Sequence, residues 1–140
     1  MDTPTPGQIL RPLHVGISVP DMEEALTWYE RNLGFRLVKD DGFVPPLGAR
    51  ICFLERDGFQ LELFRYEDPR PIPEDRLLPD TDLRTVGTKH AAFQVDDMDA
   101  MKARLLDNGV DIAHETEMHG ERVLFIRDPG GSLIELIQMK

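Results

Sequence analysis

Four residues of this chain have the types and spacing to act together: His14, Glu62, His90 and Glu135. Each histidine opens a short apolar segment, "HVGISV" and "HAAFQV", and the two stand 76 positions apart. Each glutamate lies inside an apolar strand-like stretch, Glu62 in "QLELF" and Glu135 in "LIELI". Burying a carboxylate without a partner is costly, so a chain that does it twice in matching places needs a compensating group. Two imidazoles and two carboxylates form a set of two nitrogen and two oxygen donors. Such a set suits a divalent first-row metal and leaves positions for water or substrate. Taken singly, a histidine on a strand is ordinarily exposed or hydrogen-bonded, and a strand glutamate is ordinarily solvated. The matching positions are what point to a metal.

Those positions come from an internal repeat. Setting "HVGISVPDMEEALTWYERNLGFRLV" from His14 over "HAAFQVDDMDAMKARLLDNGVDIAH" from His90 aligns six pairs. They are His14 with His90, Val19 with Val95, Asp21 with Asp97, Met22 with Met98, Tyr29 with Leu105 and Asn32 with Asn108. One domain over 13–139 is expected, made of module one at 13–66, a Pro-rich linker at 67–88 and module two at 89–139. In the first strand Val15, Ile17 and Val19 point one way and His14, Gly16 and Ser18 the other. Asp21 with Glu24 three residues on reads as a capping box that starts a helix. Met22, Leu26, Tyr29 and Leu33 form its apolar stripe, and Gly34 ends it. The second copy repeats this with Asp97, the stripe Met98, Met101 and Leu105, and the stop at Asn108 and Gly109. Three strands follow in each: "FRLV", "ARICFLE" and "FQLELFRY", then "VDIAH", "RVLFIRD" and "SLIELIQ". Arg56 to Glu62 spans six positions and Arg127 to Glu135 eight. The difference of two preserves strand parity, so both carboxylates face away from Leu61, Leu63, Ile134 and Leu136. The expected class is α+β, two tandem βαβββ modules, with the four residues on the concave side of a curved sheet.

Composition narrows the partners. At 140 residues and a formal charge of -10, the chain would repel phosphate backbones, so no nucleic acid partner is expected. No apolar run approaches the ~18 residues of a membrane span, and no membrane association is expected. The single Cys52 rules out an intramolecular disulfide and fits a reducing, cytoplasmic setting. Residues 1–12 read as a loose arm or edge segment. Secondary candidates have simpler explanations. "HETEMHG", with His114, Glu115, Glu117 and His119, reads as a solvated edge strand before an outlying metal site. Cys52 reads as a small core residue, and Asp21 and Asp97 as caps. "FVPPLGAR" is either a rim loop or a strand connection. The linker either joins the modules or forms an arm across a partner. Arg50, Arg65 and Arg84 are candidates to meet an anionic substrate.

The stretches "LHVGISVPDMEEALTWYERNLGF", "FQLELF", "KHAAFQVDDMDAM" and "FIRDPGGSLIELIQ" resemble the vicinal oxygen chelate superfamily. That superfamily includes glyoxalase I, methylmalonyl-CoA epimerase, extradiol dioxygenases, and fosfomycin and bleomycin resistance proteins. The resemblance covers 13–139. It implies paired modules closing into a cupped mixed sheet with helices on its outer face. It also implies one divalent metal ion (Ni, Zn, Co, Mn or Fe) held by His14, Glu62, His90 and Glu135. The ligand pattern is closest to glyoxalase I; the epimerase carries Gln at the place of Glu62, while residues 66–88 are laid out more like the epimerase. The implied activity is a metal-dependent lyase or isomerase of glyoxalase I or epimerase type. It would act on a small carbonyl substrate through a metal-stabilised enediolate, with Glu135 as the base and Glu62 as its symmetric alternative. The same superfamily offers two alternatives, a non-haem iron dioxygenase and a non-catalytic small-molecule binding or resistance protein. It also implies a homodimer, whose cup closes either within one chain or between two.

Overall fold

Alternation along the strands decides the architecture of the computed structural model, which describes residues 3–8 and 10–140. The first half runs β1 (His14–Ser18), α1 (Met22–Leu33), β2 (Arg36–Val44), β3 (Ala49–Arg56) and β4 (Phe59–Arg65). A 3-10 turn at Glu74–Arg76 and the four-residue α2 (Pro79–Asp82) follow. The second half runs β5 (Ala91–Gln94), α3 (Met98–Asp107), β6 (Asp111–Met118), β7 (Glu121–Arg127) and β8 (Leu133–Gln138). The class is α+β, and each half is βαβββ. The strands form two four-stranded mixed sheets of order β1-β4-β3-β2 and β5-β8-β7-β6. In each, the first strand runs parallel to the last and the other pairs are antiparallel. The two βαβββ modules expected from the sequence each contribute one mixed sheet.

One face of each sheet is apolar and lies under a helix. Leu61, Leu63, Ile134 and Leu136 are at most 1% exposed and belong to a single core that takes in both halves. The helices begin and end where their caps dictate. Asp21 accepts a hydrogen bond from the Glu24 N–H at 2.8 Å, and Asp97 accepts one from Ala100 at 3.0 Å. Gly34 ends α1 in the left-handed conformation, φ 68°, and its N–H returns to Glu30. The buried stripe of α1 is Met22, Ala25, Tyr29 and Leu33, with the expected Leu26 partly buried beside it.

Polar contacts lock the halves together. Asn108 Nδ2 donates to Asn32 Oδ1 at 3.0 Å, joining two repeat-equivalent residues. Arg104 donates to the Arg31 and Asn32 carbonyls at 3.0 and 2.8 Å, capping the last turn of α1 from the other half. Tyr29 Oη donates to Asp128 Oδ2 at 2.8 Å. The Asp128 side chain also accepts from Gly130 and Ser132 N–H groups, so the longer "RDPGGS" turn is folded around this carboxylate.

Three regions sharpen the sequence reading. "FVPPLGAR" is the strand connection of the two alternatives: Phe43 and Val44 end β2, and Gly48 closes a tight turn before β3 by donating to the Val44 carbonyl at 2.8 Å. Strands β2 and β6 are longer than expected because bulges near Leu37–Lys39, Asp40–Gly42 and Ile112–His114 let the ladder continue past irregular positions. The linker folds back onto the second half of its own chain, where Arg127 Nε donates to the Leu77 carbonyl at 2.8 Å. Of the N-terminal arm, residues 3–8 and 10–12 lie outside helices and strands and are exposed; positions 1, 2 and 9 lie outside the described residues.

Burial raises the pKa of Tyr29 well above its ordinary value, and the neighbouring Asp128 adds to the shift. The unfolded chain then loses its tyrosine proton near pH ~10 while the folded chain keeps it, so stability falls as pH rises through that value. Tyr29→Phe should remove this residue's share of the alkaline loss. It should also lower stability at pH 7 by about 1–3 kcal/mol, because Asp128 loses a donor. Urea denaturation midpoints of both proteins at pH 7 and pH 10.5 measure the two effects.

Candidate functional site

The two central strands place the carboxylates. Glu62 on β4 lies between Gly16 on β1 and Phe53 on β3. Glu135 on β8 lies between Ala92 on β5 and Phe125 on β7. Since Leu61, Leu63, Ile134 and Leu136 take the core side, both glutamates face the other side, as strand parity predicts. There each meets the histidine of its own half. His14 Nε2 stands 3.6 Å from Glu62 Oε1, and His90 Nε2 stands 3.0 Å from Glu135 Oε2. The first pair is the more open, with side chains 27% and 20% exposed against 15% and 17% for the second. His90 Nδ1 is buried and has no hydrogen-bond partner among the described residues, so Nε2 is the nitrogen turned to the carboxylate.

A third residue completes each group. The Phe53 ring meets the His14 ring edge-on at 5.6 Å and 74°, and the Phe125 ring meets His90 at 5.0 Å and 87°. The same histidine, glutamate and phenylalanine arrangement thus occurs twice. The sequence reading missed both phenylalanines. They can be found only by counting outward from each hairpin turn to the residue opposite the glutamate, which requires the turn's register.

The donor spacing fits a metal. Two donors each about 2.1 Å from a divalent ion stand about 3.0 Å apart at a right angle and about 3.4 Å apart at the tetrahedral angle. The observed 3.0 and 3.6 Å lie near those values. What one chain does not do is bring the pairs together. Among the described residues no group of three His, Cys, Asp or Glu is placed to hold one metal ion. The four residues expected to meet come together two by two, one histidine–glutamate pair in each half.

Several of the other candidates are engaged away from the donor pairs. Glu115 is tied to Lys102 at 2.5 Å and to Arg122 at 3.7 Å, and His119 sits in the β6–β7 turn with φ 54°. Cys52 is fully buried, and burial first, then Asp40, pushes its thiol up to about 11. Arg50 bonds Asp40 and Glu23 at 2.7 Å each, and with the Gly42 N–H it holds the Asp40 carboxyl down to about 2. Arg65 lies directly across from Arg50 on the neighbouring strand. Arg84 stands exposed 3.9 Å from Asp80. A cleft of about 750 Å³, lined by Phe35, Phe59, Phe93, Arg56 and Met101, includes none of the four candidate ligands. A smaller one of about 320 Å³ does reach His90, between β1 and the end of the linker.

Comparison with known proteins follows the same lines. The family model described as the Glyoxalase/Bleomycin resistance protein/Dioxygenase superfamily matches residues 11–136. The mitochondrial methylmalonyl-CoA epimerase of Homo sapiens is 29% identical over 130 residues, covering 89% of this chain and 72% of the relative. The ethylmalonyl-CoA/methylmalonyl-CoA epimerase of Cereibacter sphaeroides is 29% identical over 136 residues, covering 90% and 96%. In structure, a glyoxalase family protein from Enterococcus faecalis superposes with a TM-score of 0.77 at 22% identity, covering 91% of this chain and 97% of that one. This last likeness is one of fold.

The edge-on phenylalanines generate a stability test. Phe125 is 6% exposed, so Phe125→Ala should cost about 3–5 kcal/mol, as for other buried aromatic truncations. Phe53→Ala, at a half-buried site, should cost less. Chemical denaturation of the two variants checks the order.

Proposed function

The chain belongs to the Glyoxalase/Bleomycin resistance protein/Dioxygenase superfamily, and on that premise we propose that it is a metal-dependent lyase or isomerase of glyoxalase I or epimerase type. In this reading it moves a proton on a carbon next to the carbonyl of a small substrate. The observation that carries it is the twice-repeated pairing of an imidazole nitrogen with a carboxylate oxygen, at 3.6 and 3.0 Å. His14, Glu62, His90 and Glu135 would hold one divalent ion. When bound, the ion supplies positive charge that polarises the substrate carbonyl and stabilises an enediolate. The histidines fix the site, their rings steadied by Phe53 and Phe125. Glu135 takes and returns the substrate proton as general base. Glu62 is its symmetric counterpart. The epimerase relatives support the proton-transfer class, and an acid at position 62 favours the glyoxalase I ligand pattern.

The separation of the pairs adds a second element to the reading. A single chain offers two donors at a place, one short of the three protein ligands usual in a catalytic site. A C2 homodimer that sets the first pair of one copy against the second pair of the other would make two equivalent four-donor sites.

Two experiments test these elements. His90→Ala should abolish stoichiometric metal binding measured by elemental analysis of the purified protein. Among glutamate variants, Glu135→Gln should lower turnover by about 10²–10⁴-fold, the usual worth of a general base. Glu62→Gln should cost less, and steady-state rates on thiohemiacetal and CoA-ester substrates rank the two. For the shared site, mixing His14→Ala with His90→Ala protein should restore metal binding that neither variant has alone. One of the two sites in the mixed dimer then carries no substitution. Absence of restoration after subunit exchange would place the complete site within one chain.

A further inference from the structure

His90 is the one candidate ligand that lies outside the strands, immediately before β5. The pairing of β5 with β8 begins at Ala91 opposite Ile134, one residue after the histidine. His14, by contrast, is the first residue of β1, opposite Gln60. Yet His90 is the better placed of the two, with a shorter contact to its carboxylate and a more buried ring. Something other than the ladder positions it.

The residue before it supplies the hold. Lys89 is 15% exposed, and its ammonium donates to the Asp82 carbonyl at 2.8 Å, to Asp82 Oδ1 at 3.4 Å and to the Thr85 carbonyl. Its three donors therefore have three acceptors, all from the short α2 and its exit. Asp82 is 2% exposed, and the same oxygen accepts from Arg76 Nε at 2.9 Å. Arg76 also donates to the Thr88 carbonyl at 3.2 Å, so both residues leading into His90 are tied to the linker. The linker in turn is tied to β7 through Arg127 and the Leu77 carbonyl. In the first half the residue before the histidine is Leu13, 72% exposed. There the histidine–carboxylate contact is the longer, more open one.

We infer that the Arg76–Asp82–Lys89 clasp is the positioning device for His90, taking the part that a strand ladder plays for His14. Lys89 and Asp82 are positioning residues, acting through the backbone that carries His90. The inference rests on the metal-site reading of the preceding subsection for its functional meaning. Its geometric content, that the clasp sets the imidazole, stands on the contacts alone.

The test compares Lys89→Met and Asp82→Asn with wild type, and uses Arg50→Met as a control. Arg50→Met breaks a comparable ion cluster, with Asp40 and Glu23, that touches neither donor pair. Zn²⁺ affinity is measured by calorimetry at a temperature where circular dichroism shows every variant folded. The expected result is a loss of about 10–100-fold in affinity for the two clasp variants, the usual effect of removing a group that orients a ligand, and no change for Arg50→Met. A merely structural clasp would lower the melting temperature of all three and leave affinity alone, which would overturn the inference. Imidazole NMR signals of the metal-free proteins give a second readout. His90 resonances should move in the clasp variants and not in Arg50→Met; unmoved resonances also overturn it. Failure of wild type to bind Zn²⁺ would sink the metal reading while leaving this NMR comparison decisive for the clasp. Should Lys89→Met and Asp82→Asn not fold, Asp82→Glu keeps the charge, shifts the carboxylate by one methylene, and is read in the same two ways.

Discussion

Everything at the donor pairs depends on the two-residue period of β4 and β8. Each strand buries a leucine or isoleucine on either side of its glutamate, and each fully buried aliphatic side chain is worth about 1.5–3 kcal/mol. A slip of one residue would expose Leu61 and Leu63 and drive Glu62 into the core; β8 would suffer likewise. The apolar residues thus fix the register, and the register fixes which neighbours the carboxylates meet. Gly16 shows how close that fit is. A Cβ at that position would stand 3.1 Å from the Phe64 ring, tighter than ordinary contact, so the strand beside Glu62 stays bare where the aromatic ring leans over it.

The two halves share a plan and differ in their joints. Tyr29 in α1 has Leu105 as its counterpart in α3, and only the second half has a turn long enough to carry a carboxylate to the tyrosine. Burial works to keep the Asp128 carboxyl above its usual range, while Tyr29 and the backbone N–H groups of the turn pull it back. The joint is thus a polar group accepted into the interior because its hydrogen bonds are met. Asp82 shows the opposite balance. Burial pushes it up, but Arg76 and Lys89 more than offset this and hold it below the ordinary carboxylate value. Both buried acids lie where segments from different parts of the chain dock, and neither has a repeat-equivalent acid in the same role.

This division decides what could be read in advance. The repeat, the caps at Asp21 and Asp97, the stop at Gly34 and the shared parity of Glu62 and Glu135 are local, set by neighbours within a few residues. They were legible for that reason. The pairing of each histidine with its own glutamate also follows from one half alone. The separation of the pairs does not, because it depends on how the halves dock through Asn32, Tyr29, Arg104 and Asp128, contacts 72 to 99 residues apart in sequence. Phe53 and Phe125 escaped because hairpin register was needed to set them opposite the carboxylates. Asp82 and Lys89 escaped because a Pro-rich stretch gives no period from which a fold-back can be read.

The contact between Asn32 and Asn108 has a meaning beyond stability. A carboxamide is both donor and acceptor, so it can bond to an identical copy of itself across a twofold axis. The two asparagines are equivalent in the repeat, and they meet. A half-chain carrying that asparagine would have in it both sides of this one bond, so the bond itself is compatible with isologous pairing of two copies. Tethering them then adds no new bond there; it replaces a bimolecular encounter with an effective concentration set by the connecting segment. That one bond is thus of a kind that does not require its two sides to belong to one chain.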